Sequence, residues 1–369
     1  MTAATTTIPA HSNPVWVLVV PVAAMVFAVL EFMHIIPSDL GVVEILAAAL
    51  LGGTVFAAVH HAEMIALRIG EPFGSMLLAV AVTVIEVSLI ISIMLAKPEA
   101  GSDIARDTVF AAVMLVLTGI VGFCLLAGGL RHHEQGFGVN AASGTLSVLG
   151  TLATLALILP NFTVAEPGPH YSTWQLIGVA AVSLFLYLLF LFVQSFRHRD
   201  YFLDPNAPAH EVEHARPSAR AALISLLLLI VALVAIVLIA KGLSPALERG
   251  VAAAGLPSQF VGIIIAAVVL MPEGVTAFNA ARSNNLQQSL NLALGSALAS
   301  IGLTIPAVAM TALALGIPLT LGLDSADIVL LALALFTATL TLATGRTTVL
   351  QGGVHLVLFA TFLIISAIP

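Results

Sequence analysis

The hydrophobic and polar positions of this chain alternate on a long scale, with apolar runs of about 20 residues separated by short polar stretches. An apolar run of that length, folded as an α-helix, crosses the hydrocarbon core of a bilayer. The runs predict eleven spans, at residues 14–36, 41–67, 72–95, 107–129, 143–163, 173–196, 218–241, 258–281, 288–315, 323–344 and 348–368. The predicted fold class is therefore an all-α polytopic membrane protein.

One polar segment, residues 197–220, separates six spans from five. Eleven spans divide as one plus five plus five, and two groups of five helices have opposite orientations in a membrane because five is odd. That arrangement is typical of an inverted-repeat transporter. We predict an N-terminal extra helix (1–40), a first five-helix repeat (41–196), a cytoplasmic loop (197–220) and a second five-helix repeat (221–369). Counting Lys and Arg on alternate sides gives eight against four, which predicts a cytoplasmic N-terminus and an external C-terminus.

Two of the predicted spans carry a single carboxylate near the middle. Glu86 lies in the run from Ser75 to Leu95, and Glu273 lies in the run from Phe260 to Ala281. An ionisable residue at that depth costs roughly 2.5–3.5 kcal/mol on insertion scales, so it usually has a partner or a function. Each glutamate is on the second helix of its predicted repeat, and we expect the two to meet at the centre of the bundle.

Neutral oxygens lie at helical spacing from these acids. Thr83 is one turn before Glu86, and Thr276 is one turn after Glu273. The ninth span has a polar stripe at intervals of four, formed by Ser296, Ser300 and Thr304. These hydroxyls complete a coordination shell in one interpretation and bond the carbonyl four residues back in the other. Pro272 lacks an amide proton and is predicted to break the helix at Glu273, which would free carbonyl oxygens.

An all-oxygen site of this kind suits a hard cation such as Ca²⁺, and two carboxylates balance its charge. Without the cation, two like charges in a medium of low dielectric favour protonation instead. Competition of cation and proton for Glu86 and Glu273 is by itself the basis of an exchange mechanism. We expect metal binding at Glu86 and Glu273, with Thr83, Thr276, Ser296 and Ser300 as secondary ligands.

Composition excludes several other classes of protein. Hydrophobic residues make up 60% of the chain and charged residues only 8%, against about 25% in soluble domains. No basic patch indicates nucleic acid, and no zinc or nucleophile motif indicates an enzyme or a resident cofactor. The cluster of His60, His61 and Glu63 is interpreted either as a polar helix end or as an access site or pH sensor. His355, alone in an apolar helix, is expected to be a hydrogen-bonded interior histidine.

Several motifs together resemble a known family. The stretch GGLRHHEQGF at Gly128–Phe137 is similar to the GG-x-x-x-x-E-Q-x-F segment of cation/proton exchangers in the calcium/cation antiporter superfamily. The bacterial ChaA-type branch of that superfamily is the most similar in the motifs GEPFG, IEVSLI, PEG and GRT, which begin at Gly70, Ile85, Pro272 and Gly345. The resemblance runs over nearly the whole chain.

The resemblance implies an eleven-helix antiporter of the bacterial inner membrane that exports Ca²⁺ in exchange for H⁺, with Glu86 and Glu273 as cation ligands. The chain departs from the family where Val82–Thr83 and Val269–Leu270 replace Gly-Asn pairs before the acids. A site with fewer amide ligands makes a Na⁺/H⁺ or K⁺/H⁺ antiporter the nearest alternative. A passive cation channel and an intramembrane enzyme are the more distant ones. The sequence predicts inorganic cations, protons and the lipid bilayer as partners, and it predicts no oligomeric state.

Overall fold

The structure is a computed structural model that describes residues 14–37, 40–70, 73–96, 101–203 and 217–368. The described chain is almost entirely helical, and eleven of its helices, some with internal π segments, are long and apolar enough to cross a membrane. The predicted all-α polytopic fold with eleven spans is confirmed. The helices are α1 Val15–Phe32, α2 Gly41–Ile69, α3 Phe73–Ala96, α4 Gly101–Met114, α5 Val121–His132, α6 Val139–Ala153, α7 Thr173–Phe192, α8 Ala219–Ala253, α9 Gln259–Arg282, α10 Leu286–Ala299, α11 Ile305–Leu315, α12 Ser325–Leu342 and α13 Val349–Ala367.

Two spans are interrupted in their middle by a π-helical segment. The fourth span consists of α4, the span-4 π segment Leu115–Ile120 and α5. The ninth span consists of α10, the span-9 π segment Ser300–Thr304 and α11. Each π segment follows a described helical stretch of 14 residues.

The break that the sequence predicted at Pro272 is absent. Helix α9 runs without interruption from Gln259 to Arg282, with Pro272 inside it. A proline removes one hydrogen bond of a helix, and neighbouring helices and hydroxyl side chains compensate for that loss inside a membrane protein. The Thr276 hydroxyl donates to the Pro272 carbonyl at 3.0 Å, but the carbonyl that loses its donor is that of Val268, four residues before the proline. Among the described spans, the π segments at mid-span therefore lie in spans 4 and 9, whereas those at Thr154–Ile158 and Val193–Arg197 lie near span ends, and the span that carries Glu273 is a continuous α-helix.

The described chain forms two compact units. The first comprises α1, α2, the start of α3 up to Val82 and α8 up to Ile239. In this unit α1 packs against α2, and a buried histidine of α2 joins α1 to α8. His61 Nε2 donates to the carbonyl of Val17 at 2.9 Å, which has no helical donor because Pro21 lacks an amide proton. The other ring nitrogen, Nδ1, lies 3.2 Å from the Ser225 hydroxyl.

The second unit contains the rest of the described chain, from Thr83 to residue 203 and from Ala240 onward. Helix α9 packs on α4, α5 and α10, and α13 packs on α5. Glycines permit these close approaches: a Cβ at Gly262 of α9 would lie 3.0 Å from the Asp107 carbonyl carbon of α4. A two-residue antiparallel ladder pairs β1 (Gln135–Gly136) with β2 (Arg346–Thr347) and joins the segments after α5 and after α12. The predicted boundaries of the two repeats remain a prediction.

Candidate cation and proton site

Glu86 is a buried carboxylate held by two hydroxyl groups. It lies on α3, and only 2% of the residue is exposed. Ser300 Oγ and Thr304 Oγ1 both donate to its Oε2 at 2.9 Å. Oε1 has no hydrogen-bond partner among the described residues. Since a buried carboxylate oxygen without a partner is costly, Oε1 is the position at which a proton or a cation would be stabilised.

The two donors come from the span-9 π segment, of which they are the first and last residues. Several other threonine hydroxyls in the described helices turn back to the carbonyl four residues earlier. Thr118 bonds Met114 in this way, and Thr145 bonds Ala141. Ser300 and Thr304 instead point away from their own helix toward Glu86. Back-bonding, one of the two interpretations of the polar stripe, does not describe these two residues, and their coordination of a cation remains a prediction.

Glu273 occupies a different environment on α9. It is half-buried and follows the buried Pro272. The next residue, Gly274, faces the span-4 π segment, since a Cβ placed there would lie 3.2 Å from Ile120 Cδ1. The meeting of Glu86 and Glu273 in one cation site remains a prediction.

The remaining predicted ligands, Thr83, Ser296 and Thr276, differ in burial and in hydrogen bonding. Thr83 is buried, with 6% exposed, one turn before Glu86 on α3. Ser296 is half-buried and lies one turn before Ser300 on α10. Thr276 is exposed, and its hydroxyl is used by the Pro272 carbonyl of its own helix. Thr83 and Ser296 therefore remain candidates on the same helix faces as the observed contacts, whereas Thr276 is the weakest of the set.

The structure also explains a motif whose role the sequence left open. In GGLRHHEQGF, the Gln135 amide donates to the Ala281 carbonyl at 2.9 Å and to Asn284 Oδ1 at 3.0 Å. His132 Nε2 lies 2.9 Å from the Arg282 carbonyl. These side chains satisfy carbonyls at the C-terminal end of α9, which carries Glu273. A Cβ on Gly128 would overlap Gln135 Oε1, so the motif requires glycine there.

The histidine cluster of α2 has a structural explanation in part. His61 is fully buried and bonds Val17 and Ser225, which leaves neither ring nitrogen free for a metal. Across the described ranges, no group of three or more His, Cys, Asp or Glu side chains is arranged to hold a metal ion. Among the described residues, the group that most resembles a cation site is therefore Glu86 with Ser300 and Thr304, which offers only oxygen ligands. Oxygen ligands are those that Ca²⁺, Na⁺ and K⁺ take in proteins.

Comparison with known proteins gives a consistent picture. The sequence profile of the family described as sodium/calcium exchanger protein matches residues 40–196 and 224–368. The chain is 52% identical to the protein y4hA of Sinorhizobium fredii over 96% of this chain and 97% of that protein. It is 35% identical to the sodium-potassium/proton antiporter ChaA of Escherichia coli, over 87% of this chain and 88% of ChaA. It is 25% identical to a Ca²⁺/H⁺ antiporter of Aphanothece halophytica, over 82% of this chain and 83% of that protein.

Solved structures share the fold at low sequence identity. Native YfkE superposes with a TM-score of 0.73 at 19% identity, covering 96% of this chain and 100% of YfkE. The H⁺/Ca²⁺ exchanger CAX superposes with a TM-score of 0.69 at 14% identity, covering 93% of this chain and 87% of CAX. These two solved structures therefore share the overall fold of this chain.

Proposed function

The chain belongs to the sodium/calcium exchanger protein family, and from that premise we propose that it is a secondary-active antiporter that exports Ca²⁺ in exchange for H⁺. The family consists of transporters rather than enzymes. The observation that carries the proposal is the Glu86 carboxylate, buried in a membrane span and hydrogen-bonded to Ser300 and Thr304. A carboxylate buried at that depth is usually functional.

The proposed mechanism is competition at one carboxylate. While Glu86 is ionised, the two hydroxyls donate to Oε2 and stabilise the charge. When a cation binds, each hydroxyl can rotate so that its oxygen faces the ion, because a hydroxyl is both donor and acceptor. When the cation leaves, a proton on Oε1 neutralises the buried group. The bundle would change its open side in either loaded state and resist the change when empty, which is alternating access.

A divalent ion needs further charge and further oxygens. We propose that Glu273 supplies the second carboxylate, and that Thr83 and Ser296 extend the oxygen shell from the same helix faces as Glu86 and Ser300. Thr276 would contribute least because its hydroxyl is engaged by Pro272. Ca²⁺ and H⁺ are cargo in this scheme, and no resident cofactor takes part. We place the protein in the bacterial inner membrane, with a cytoplasmic N-terminus and an external C-terminus.

The second candidate function is Na⁺/H⁺ or K⁺/H⁺ exchange at the same site. It is favoured by the higher identity to the sodium-potassium/proton antiporter ChaA, 35%, than to the Ca²⁺/H⁺ antiporter, 25%. A monovalent ion needs less compensating charge than Ca²⁺, so it would rely less on Glu273.

The test uses the purified protein in liposomes that contain a pH-sensitive dye. Ca²⁺, Na⁺ or K⁺ is added outside, and uptake of the cation is measured together with the internal pH. Antiport makes the interior alkaline as the cation enters, and Glu86→Gln abolishes both signals. Glu166→Gln, at an exposed acid of the loop before α7, is the matched control.

The outcomes separate the candidates. Alkalinisation with Ca²⁺ that is lost in both Glu86→Gln and Glu273→Gln supports the calcium proposal. Alkalinisation with Na⁺ or K⁺ but not with Ca²⁺ supports the second candidate function, Na⁺/H⁺ or K⁺/H⁺ exchange. Cation uptake without a pH change would identify a channel, and an active Glu86→Gln variant would remove Glu86 from the mechanism.

A further inference from the structure

His355 is a fully buried histidine that the proposed exchange cycle does not use. It lies on α13 with none of its surface exposed. Its Nδ1 is 2.6 Å from the carbonyl oxygen of Leu117, and its Nε2 is 3.1 Å from the Thr341 hydroxyl of α12. The expectation of a hydrogen-bonded interior histidine is confirmed. The identity of the carbonyl partner points to a more specific role.

Leu117 lies inside the span-4 π segment, where one carbonyl loses its helical donor. The amide of Val121 bonds Val116, five residues back. Helix α5 then returns to bonds that span four residues, so the Leu117 carbonyl is skipped. No water is available in a bilayer core to satisfy such a group. The imidazole of His355 replaces the missing donor.

The carbonyl also fixes the state of the ring. A carbonyl oxygen can only accept, so Nδ1 carries the hydrogen, and Nε2 of the neutral ring accepts from the Thr341 hydroxyl. The ring thus joins α13, α12 and the π segment with one donor and one acceptor. An apolar side chain of the same size could fill the space but could not supply the Nδ1 donor.

On its other side, the span-4 π segment borders α9 next to Glu273. Ile120 of the segment faces Gly274. Beside this contact lies an open apolar cavity of about 310 Å³, lined in part by Leu115, Ile120, Leu270 and Gly274. The segment also packs against α10, α12 and α13. The hydrogen bond from His355 to the Leu117 carbonyl adds a directional polar contact that ties the segment to α13.

We propose that His355 is a positioning residue for exchange: it holds the span-4 π segment in place against α9 and so fixes the location of the Glu273 carboxylate. This inference rests on the proposed function, in which Glu273 binds the cation. His355 itself touches neither cation nor proton in this role. The role requires a hydrogen-bond donor at the Nδ1 position, and it does not require the second ring nitrogen.

The experiment compares His355→Asn, whose amide nitrogen occupies the position of Nδ1, with His355→Leu, which fills the space without a donor. Thr341→Val is the matched control, since it removes only the partner of Nε2. Transport is measured in the liposome assay as apparent KM and maximal rate. Hydrogen exchange of peptides that cover residues 115–120 and 271–278 is measured on the same purified samples.

We expect His355→Leu to raise the apparent KM for the cation about tenfold or more, as expected for losing a donor to a buried carbonyl. We expect His355→Asn and Thr341→Val to stay within about threefold of the native protein in apparent KM, because both variants keep a donor to the Leu117 carbonyl. Hydrogen exchange of both peptides should rise in His355→Leu and stay near native in His355→Asn. Packing alone would reverse the order, because leucine restores apolar contacts better than asparagine, and that order would overturn the proposal.

The two hypotheses fail separately. If the native protein moves no cation against protons, the proposed function is wrong, and hydrogen exchange still decides whether His355 holds the π segment and α9. If the native protein exchanges ions and His355→Leu matches it in both KM and hydrogen exchange, the function stands and the role of His355 is wrong. Should His355→Leu fail to fold, unchanged exchange of residues 271–278 in His355→Gln, whose amide is one bond further from the backbone, would overturn the proposal.

Discussion

The span-4 and span-9 π segments use the same backbone irregularity for different purposes. Each follows a 14-residue helix in the middle of its span. In span 9 the segment is SIGLT, and two hydroxyls leave the helix to bond Glu86. In span 4 the segment is LVLTGI; its single threonine, Thr118, bonds its own helix, and His355 bonds the Leu117 carbonyl. A π segment therefore creates the opportunity for a polar contact, and the side chains decide which group uses it.

The two glutamate helices differ in a parallel way. Glu86 on α3 is fixed directly by side-chain hydrogen bonds. Helix α9 is held at its ends: Gln259 donates to Asp327 Oδ2 of α12 at 2.8 Å near its start, and Gln135 bonds the Ala281 carbonyl near its end. Substitutions at the hydrogen-bond partners of Glu86 should therefore change transport directly. Substitutions at the ends of α9 should act first on the stability of the helix that carries Glu273.

The largest effect is expected at Glu86 itself. Glu86→Gln removes the negative charge of the carboxylate that Ser300 and Thr304 bond. We expect proton-coupled cation uptake to fall to the level of empty liposomes. Glu86→Asp keeps the charge but withdraws it by one methylene from Ser300 and Thr304. It should retain measurable exchange with a higher KM for the cation. An equal loss of transport in Glu86→Gln and Glu86→Asp would mean that the loss of negative charge does not explain the inactivity of Glu86→Gln.

The next largest effect should separate the two π segments. Thr304→Val removes a hydroxyl from Glu86 while keeping the shape, and hydrogen bonds to charged groups are worth roughly 1.5–3 kcal/mol. We expect the KM for the cation to rise about tenfold or more, since 1.4 kcal/mol is a factor of ten. Thr118→Val, the counterpart in span 4, should change KM by less than about twofold because its hydroxyl bonds only its own helix. Equal effects in cation titrations would refute the distinction between the two segments.

A smaller effect, on stability rather than transport affinity, is expected at the end of α9. Gly128→Ala places a Cβ against Gln135 Oε1 and displaces the amide from Ala281. Overpacking of this kind costs about 1–3 kcal/mol. The thermal unfolding midpoint in detergent should fall, while Gly144→Ala, where no atom lies within 4 Å of the added Cβ, should leave it unchanged or slightly higher. A midpoint lowered equally in both variants would point to a general helix effect instead.

The smallest effect is expected at Thr276. Its hydroxyl is exposed and bonds Pro272 in the same helix, so Thr276→Val should alter the KM for Ca²⁺, Na⁺ and K⁺ by less than about twofold, as for other back-bonded helical threonines. Thr83→Val, at the buried position next to Glu86, provides the contrast. A loss of affinity at Thr276 comparable to that at Thr304 would restore it as a cation ligand.

The sequence alone determined the class of the protein and the main chemical candidate. Runs of about 20 apolar residues are sufficient to specify membrane-spanning helices, because a bilayer leaves few other options for the backbone. A lone carboxylate within such a run marked Glu86, and spacing by four marked Ser300 and Thr304 as one face. These inferences depend only on helical geometry and on the cost of burying charge, both of which are local in sequence.

Only the tertiary structure decided which irregularity matters. Proline has a strong local signature, yet α9 continues through Pro272, whereas the π segments of spans 4 and 9 contain no residue that predicts them. In spans 4 and 9, groups from distant parts of the chain, His355 and Glu86, form hydrogen bonds with the π segments. The partners lie about 214 and 238 residues apart along the chain. Contacts at that separation leave no pattern in the local sequence, so the hydrogen bonds of Glu86 and His355 became visible only in the fold.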